Sequence, residues 1–286
     1  MRERHSLVLV AACAACLVVP FQGSAAAPGD AVCSQDTSVF TGTARDLIVP
    51  EGGGCDVLGA TVMRDLIVRP GAGVLAFETT IGRDLIVGTD SDAFVVVTEI
   101  GRDLTARTAA SLFLERTTIG RDFVAQEPAT VQTGRVAPET SGGSVRVARD
   151  VLIDGSPAGF EFVFDGICEL IVGHDLRMTN REVTLGFGIG DNCARNGREA
   201  NTIGHDLIVT DNAALVGFFG PSSLEVGDNH VGHDLVFSRN TAAPGGVLEV
   251  SDNVVGHDAI CASNNPAVLQ APGAGPNVAG HANSCG

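Results

Sequence analysis

The 286-residue chain contains no lysine, no tryptophan and no tyrosine. Without lysine, its permanent positive charge rests on arginine alone, 18 residues against 34 Asp and Glu, for a net charge of −16. Nucleic-acid recognition needs a cationic surface to displace phosphate counterions, so no nucleic-acid partner is expected. The same sign opposes docking on anionic membranes. Without Trp and Tyr the chain lacks the usual platforms for stacking sugar rings. Leu-rich amphipathic runs of helical period are also missing. What remains is Val, Ile, Leu, Phe and Thr with 36 Gly, a palette for strands and turns.

Residues 1–26 read as an export signal. Arg2 and Arg4 form a basic start, Ser6 to Val19 is almost wholly apolar, and Gly23 to Ala27 supply small residues for cleavage near Ala26. The run is short for a membrane span, and no later segment is long enough to be one. Val10-Ala11-Ala12-Cys13 resembles a bacterial lipobox, but the chain stays apolar after Cys13. The expected mature protein is a single secreted domain, 27–286, extracellular or in the cell envelope. Its 16 Arg and 33 acidic groups give a net charge of −17, a composition that keeps an exported protein soluble.

An internal repeat dominates the mature part. Asp46, Asp65, Asp84, Asp103 and Asp122 follow one another at 19-residue intervals, and Asp150, Asp175, Asp206, Asp234 and Asp258 continue at intervals of 24 to 31. Most stand in Gly-(Arg or His)-Asp-Leu-Ile-Val or a close variant, and Gly280-His281-Ala282 is a degenerate last copy. Aligned on Asp, the short repeats show apolar columns one place on (Leu47, Leu66, Leu85, Leu104, Phe123), three on (Val49, Val68, Val87, Ala106, Ala125), eleven on (Val57, Ala76, Val95, Leu114) and sixteen on (Val62, Ile81, Ile100, Ile119). Within a run these columns lie two apart, the period of a strand. A unit this short cannot bury its own apolar side, so the stacked array is the folding unit. The expected fold is all-β: a parallel β-helix of ten to eleven coils of 19–31 residues. Variable coil length favours a right-handed helix over a left-handed hexapeptide helix, and a leucine-rich repeat ranks third. A protruding loop is expected near 126–146, which holds two Pro and Ser141-Gly142-Gly143.

Six cysteines remain after the signal, an even number in an exported chain. Coils stack about 4.8 Å apart, inside the Cα window of a disulfide. Cysteines about one coil apart in sequence therefore pair as Cys33–Cys55, Cys168–Cys193 and Cys261–Cys285, the last two cysteines sharing one column. The alternative is buried free thiols.

The Asp column runs beside Arg45, Arg64, Arg83, Arg102, Arg121 and Arg149, and then beside His174, His205, His233, His257 and His281. Stacked carboxylates repel one another. Neighbouring Arg or His relieves this, and Asp at a turn accepts backbone N–H bonds. A structural role is therefore the first reading, since an active site does not recur in every coil. No catalytic residue, cofactor or metal is assigned. Gly-x-Asp-x-(apolar)-x resembles the second half of the calcium-binding nonapeptide of repeats-in-toxin proteins, although the leading Gly-Gly-x-Gly is missing. That resemblance implies calcium, with Asp191-Asn192, Asp211-Asn212, Asp228-Asn229 and Asp252-Asn253 as further oxygen donors; the plainer reading of these pairs, and the one preferred, is Asn and Asp at turns, stacked as a ladder. A transition-metal site or an acid-pH sensor is a further reading of the stacked histidines, set behind ordinary turn histidines paired with Asp because the column lacks zinc-site spacing and neither His-Glu-x-x-His nor Cys-x-x-Cys occurs.

In this architecture the chain resembles exported solenoids of high-GC bacteria. The first functional expectation is a structural or interaction protein, a rigid acidic rod presenting a repetitive surface to an unidentified surface or polysaccharide partner. A right-handed β-helix also resembles polysaccharide lyases and glycosidases, which makes a polysaccharide-active enzyme the alternative on fold alone. A calcium-binding repeat module is the second alternative. An aligned Thr79, Thr98 and Thr117 also suggests a flat ice- or mineral-binding face, and Phe218-Phe219 is an aromatic pair for a corner or the core.

Overall fold

The computed structural model describes residues 28–35, 38–109, 111–134, 143–157, 164–190, 199–217, 220–270 and 274–285. The expected signal segment, Cys193, Asp191-Asn192, Phe218-Phe219 and 135–142 of the expected loop lie outside them. Among the described residues there is no helix, and three long parallel sheets of 11, 10 and 11 strands run the length of the chain. Except in the last coil, which adds no strand to the second sheet, each coil contributes one strand to each sheet, which makes a parallel β-helix of about ten to eleven coils, as the repeat implies.

The first sheet follows the motif Asp. Leu47, Leu66, Leu85, Leu104 and Phe123 pair in register from coil to coil, and all are fully buried. The row continues through Val151, Leu176, Leu207, Leu235 and Ala259. In the second sheet two inward columns alternate with outward residues, Cys55-Val74-Ala93-Leu112 and Val57-Ala76-Val95-Leu114. The third sheet contributes one inward position per short strand, Val62, Ile81, Ile100 and Ile119. Eleven strands at about 4.8 Å make a stack of roughly 50 Å.

Two turns in each coil put a residue at positive φ and turn the next side chain inward. Glu78, Val97 and Arg116 occupy the left-handed position after the second sheet, and Thr79, Thr98 and Thr117 follow them. These threonines are buried, and each hydroxyl donates to the carbonyl two residues back and to one in the preceding coil. They form no outer face, so the ice- or mineral-binding reading falls. In the later coils Asp-Asn replaces this pair at Asp228-Asn229 and Asp252-Asn253, and Asp211-Asn212 stands at the other turn, after the first sheet. Asp211, Asp228 and Asp252 take the positive φ that Asp tolerates, while Asn212, Asn229 and Asn253 point into the core. Amide-to-amide bonds of 2.8–2.9 Å run Asn201–Asn229–Asn253–Asn277 and Asn212–Asn240. The asparagine of each described Asp-Asn pair is thereby removed from any outer calcium site.

Part of the extra length of the later coils stacks as a fourth short parallel strand, Glu182–Val183, Ala213–Ala214 and Thr241–Ala242. Around the expected loop, Phe123–Gln126, Thr130–Thr133 and Val145–Val147 are regular strands in the first, second and third sheets.

The structure contains Cys33–Cys55 and Cys261–Cys285, with Cα separations of 6.0 and 4.9 Å. The second joins residues of one column, since Ala259 bridges Asn283 two places earlier. The first does not. Cys33 continues the first-sheet strand that pairs with Leu47–Val49, whereas Cys55 lies in the second sheet, so this bridge ties adjacent walls across the interior. Cys168 is also disulfide-bonded; its expected partner, Cys193, is not among the described residues.

Candidate functional site: the stacked carboxylate column

The motif Asp sits just before the first-sheet strand, at a corner where the backbones of successive coils come close. Gly82, Gly101 and Gly120 make that approach possible. A Cβ on Gly101 would stand 2.3 Å from the carbonyl oxygen of Gly82. The Arg or His that follows donates its backbone N–H to the carbonyl of the same column one coil earlier, unbroken from Arg64 to His281.

Each carboxylate then serves the coil after its own. Asp103 Oδ1 accepts the amide of Asp122 at 3.2 Å and Nε of Arg121 at 2.9 Å, while Oδ2 accepts Nη2 at 2.5 Å. Asp84 does the same for Asp103 and Arg102, and Asp122 for Asp150 and Arg149. Asp46 and Asp65 accept the next amide at 3.1 and 3.3 Å, with Arg64 and Arg83 held more loosely at 3.6–3.8 Å. These Asp side chains are mostly buried, whereas the arginines are nearly half exposed. The column also begins one coil earlier than the motif shows. Asp30 takes Arg45 in a two-pronged pair at 2.9 and 2.8 Å. Its signal is Gly29-Asp30-Ala31-Val32, obscured by a spacing of 16 to Asp46.

From Asp150 onward the partner is histidine. Nδ1 of His174, His205, His233, His257 and His281 lies 2.9–3.0 Å from the Asp of the preceding coil. For the first four, the Asp that follows in sequence is at 3.3–3.4 Å. The imidazoles stack face to face, with centroids 4.7–5.1 Å apart and planes within 6°. Burial works to raise the Asp175 carboxyl, but Arg177, the amide of Asp206 and His205 outweigh it and hold it below the ordinary carboxylate value of 3.8. Asp234 is likewise lowered, against its burial, by His257 and the amide of Asp258. Asp258 is lowered first by the amide of Ala282 and then by His281.

No family model, no curated protein and no solved structure matches this chain. The ten motif aspartates of the sequence form one continuous column, and its oxygens are engaged between coils. The column can hold coils in register and fix the orientation of an Arg or His side chain at each step. Sequence reading missed Arg181, a fully buried arginine that donates to the carbonyls of Pro128 and Gly155 at 2.5 Å. A lone Arg between Asn180 and Glu182 carries no signal of burial.

Proposed function

We propose that the protein is a secreted structural or interaction protein, a rigid acidic rod that offers a repetitive surface to a cell-wall polysaccharide or a surface protein. One observation supports this above the others: the recurring carboxylates hold one coil to the next. A catalytic pair needs carboxylates free to exchange protons with substrate, whereas Asp84, Asp103 and Asp122 each accept an amide and a guanidinium. The same engagement weighs against calcium, which needs several free oxygens converging on one point. Disulfides at both ends of the stack fit an oxidising compartment.

Purified mature protein should co-sediment with isolated cell walls or bind intact cells. It should release no unsaturated or reducing ends from acidic polysaccharides, and its melting temperature should not rise with added Ca²⁺. Product release, or a calcium-dependent melting shift, would replace this reading with the corresponding alternative.

A further inference from the structure

We propose that the five stacked histidines form a binding site for transition-metal dications such as Zn²⁺, each ion held between the Nε2 atoms of two adjacent coils. The sequence alone assigned no metal here, because consecutive histidines stand 24 to 31 residues apart, outside any local zinc motif. Stacking turns that separation into neighbouring rings 4.7–5.1 Å apart.

The carboxylates prepare the rings. Every Nδ1 faces an Asp oxygen at 2.9–3.0 Å, and a carboxylate only accepts, so Nδ1 carries the proton. In the neutral ring Nε2 then holds the lone pair. A carboxylate behind the far nitrogen is the arrangement that fixes the tautomer and raises the basicity of metal-binding histidines. The side chains are 43–73% exposed, so an ion reaches them from solvent. Among the described residues, all hydrogen bonds of the rings are made by Nδ1. Because the rings are parallel and identically oriented, their Nε2 atoms repeat at the spacing of the centroids.

Two imidazoles on one tetrahedral zinc, at about 2.05 Å each, have nitrogens about 3.3 Å apart. Closing the gap takes about 0.7 Å per ring, and because stacked rings carry parallel lone pairs, each ring also turns out of the stack about its broad Cβ–Cγ torsion to aim Nε2 at the shared ion. Imidazole nitrogen selects zinc, copper or nickel over calcium. Since each Nε2 serves one ion, five rings make two pairs, and the rod takes two ions. Adjacency, not histidine number, sets the capacity.

That distinction gives the test, with Zn²⁺ alone titrated into the purified chain by calorimetry. The parent should bind two ions. His174→Gln/His281→Gln leaves three adjacent rings and should keep one ion at the parent affinity. His205→Gln/His257→Gln leaves three rings two coils apart and should bind roughly a hundredfold more weakly. Gln keeps an N–H for the Asp, and melting in metal-free buffer checks the fold of each variant. Single substitutions give the same contrast with less disturbance: His233→Gln should retain two ions and His205→Gln one. His230, on the third sheet, is common to every variant. Equal binding by the two double variants, equal stoichiometry in the two single variants, or no zinc binding by the parent would each overturn the proposal.

Discussion

At the residue scale, each motif Asp satisfies two donors of the following coil. Asp103→Ala would leave the amide of Asp122 and the guanidinium of Arg121 without their acceptor, at a cost of about 2–3 kcal/mol. Asp103→Asn keeps a carbonyl oxygen for the amide but loses the charge and turns an N–H donor toward Nη2 of Arg121, which is exposed enough to swing into water, so it should cost about 1 kcal/mol. Denaturant titration of the two variants measures the difference, and equal losses would mean that the backbone bond is unimportant. Val97 makes the opposite case. A β-branched residue at φ 50° is sterically strained, while the same position is filled by Asp in later coils. Val97→Asn should therefore raise stability by about 1 kcal/mol, seen as an upward shift of the melting temperature.

At the element scale, the three strands of a coil are two to five residues long and stable only because the next coil covers them. The corner between the third and first sheets is a close backbone contact that recurs from coil to coil. Gly101→Ala places a methyl against the carbonyl of Gly82, and the coils must separate there to admit it. A loss of about 2 kcal/mol is expected, with faster hydrogen exchange at the amides of Gly101 and Arg102, which bond back to Ile81 and Arg83. Unchanged exchange at those amides would show that the corner yields elsewhere. The turns follow an equally local rule. A residue at positive φ precedes a small polar side chain that enters the core and satisfies turn carbonyls, Thr in the early coils and Asn in the later ones.

At the scale of the whole molecule, carboxylates of the column and of one turn set the response to acid. Asp175, Asp211, Asp234 and Asp258 lie below their ordinary value of 3.8 in the folded chain. A carboxylate lowered by folding contributes stability that is present above its unfolded value and lost as the pH falls through the folded one. The melting temperature should therefore hold down to about pH 4 and fall steadily below it. Arg239→Gln removes the cation that lowers Asp211 and should make that fall shallower. An acid limb beginning near pH 6 would point to groups other than these carboxylates.

The recurrence of Asp at 19 residues, with apolar columns one, three, eleven and sixteen places on, was enough to determine a stacked coil, because a period that buries the same positions in every unit has few other solutions. Leu47, Leu66 and Leu85 lie in one interior row for that reason. The Cys261–Cys285 bridge followed from the same column logic. Cys33–Cys55 was paired correctly, but its path across the interior depends on which wall each cysteine occupies, and one-dimensional spacing does not carry that. Nor does it show whether a turn side chain faces in or out: Thr79, Thr98 and Thr117 read as a surface until the positive φ before each turned them inward, whereas the ladder expected of the Asp-Asn turns is the one that Asn229 and Asn253 form. The histidines mark the same boundary. Their recurrence is visible in the sequence, but the parallel rings and the carboxylate behind each one exist only once the coils lie about 4.8 Å apart, because that spacing is fixed by backbone hydrogen bonds between residues distant along the chain.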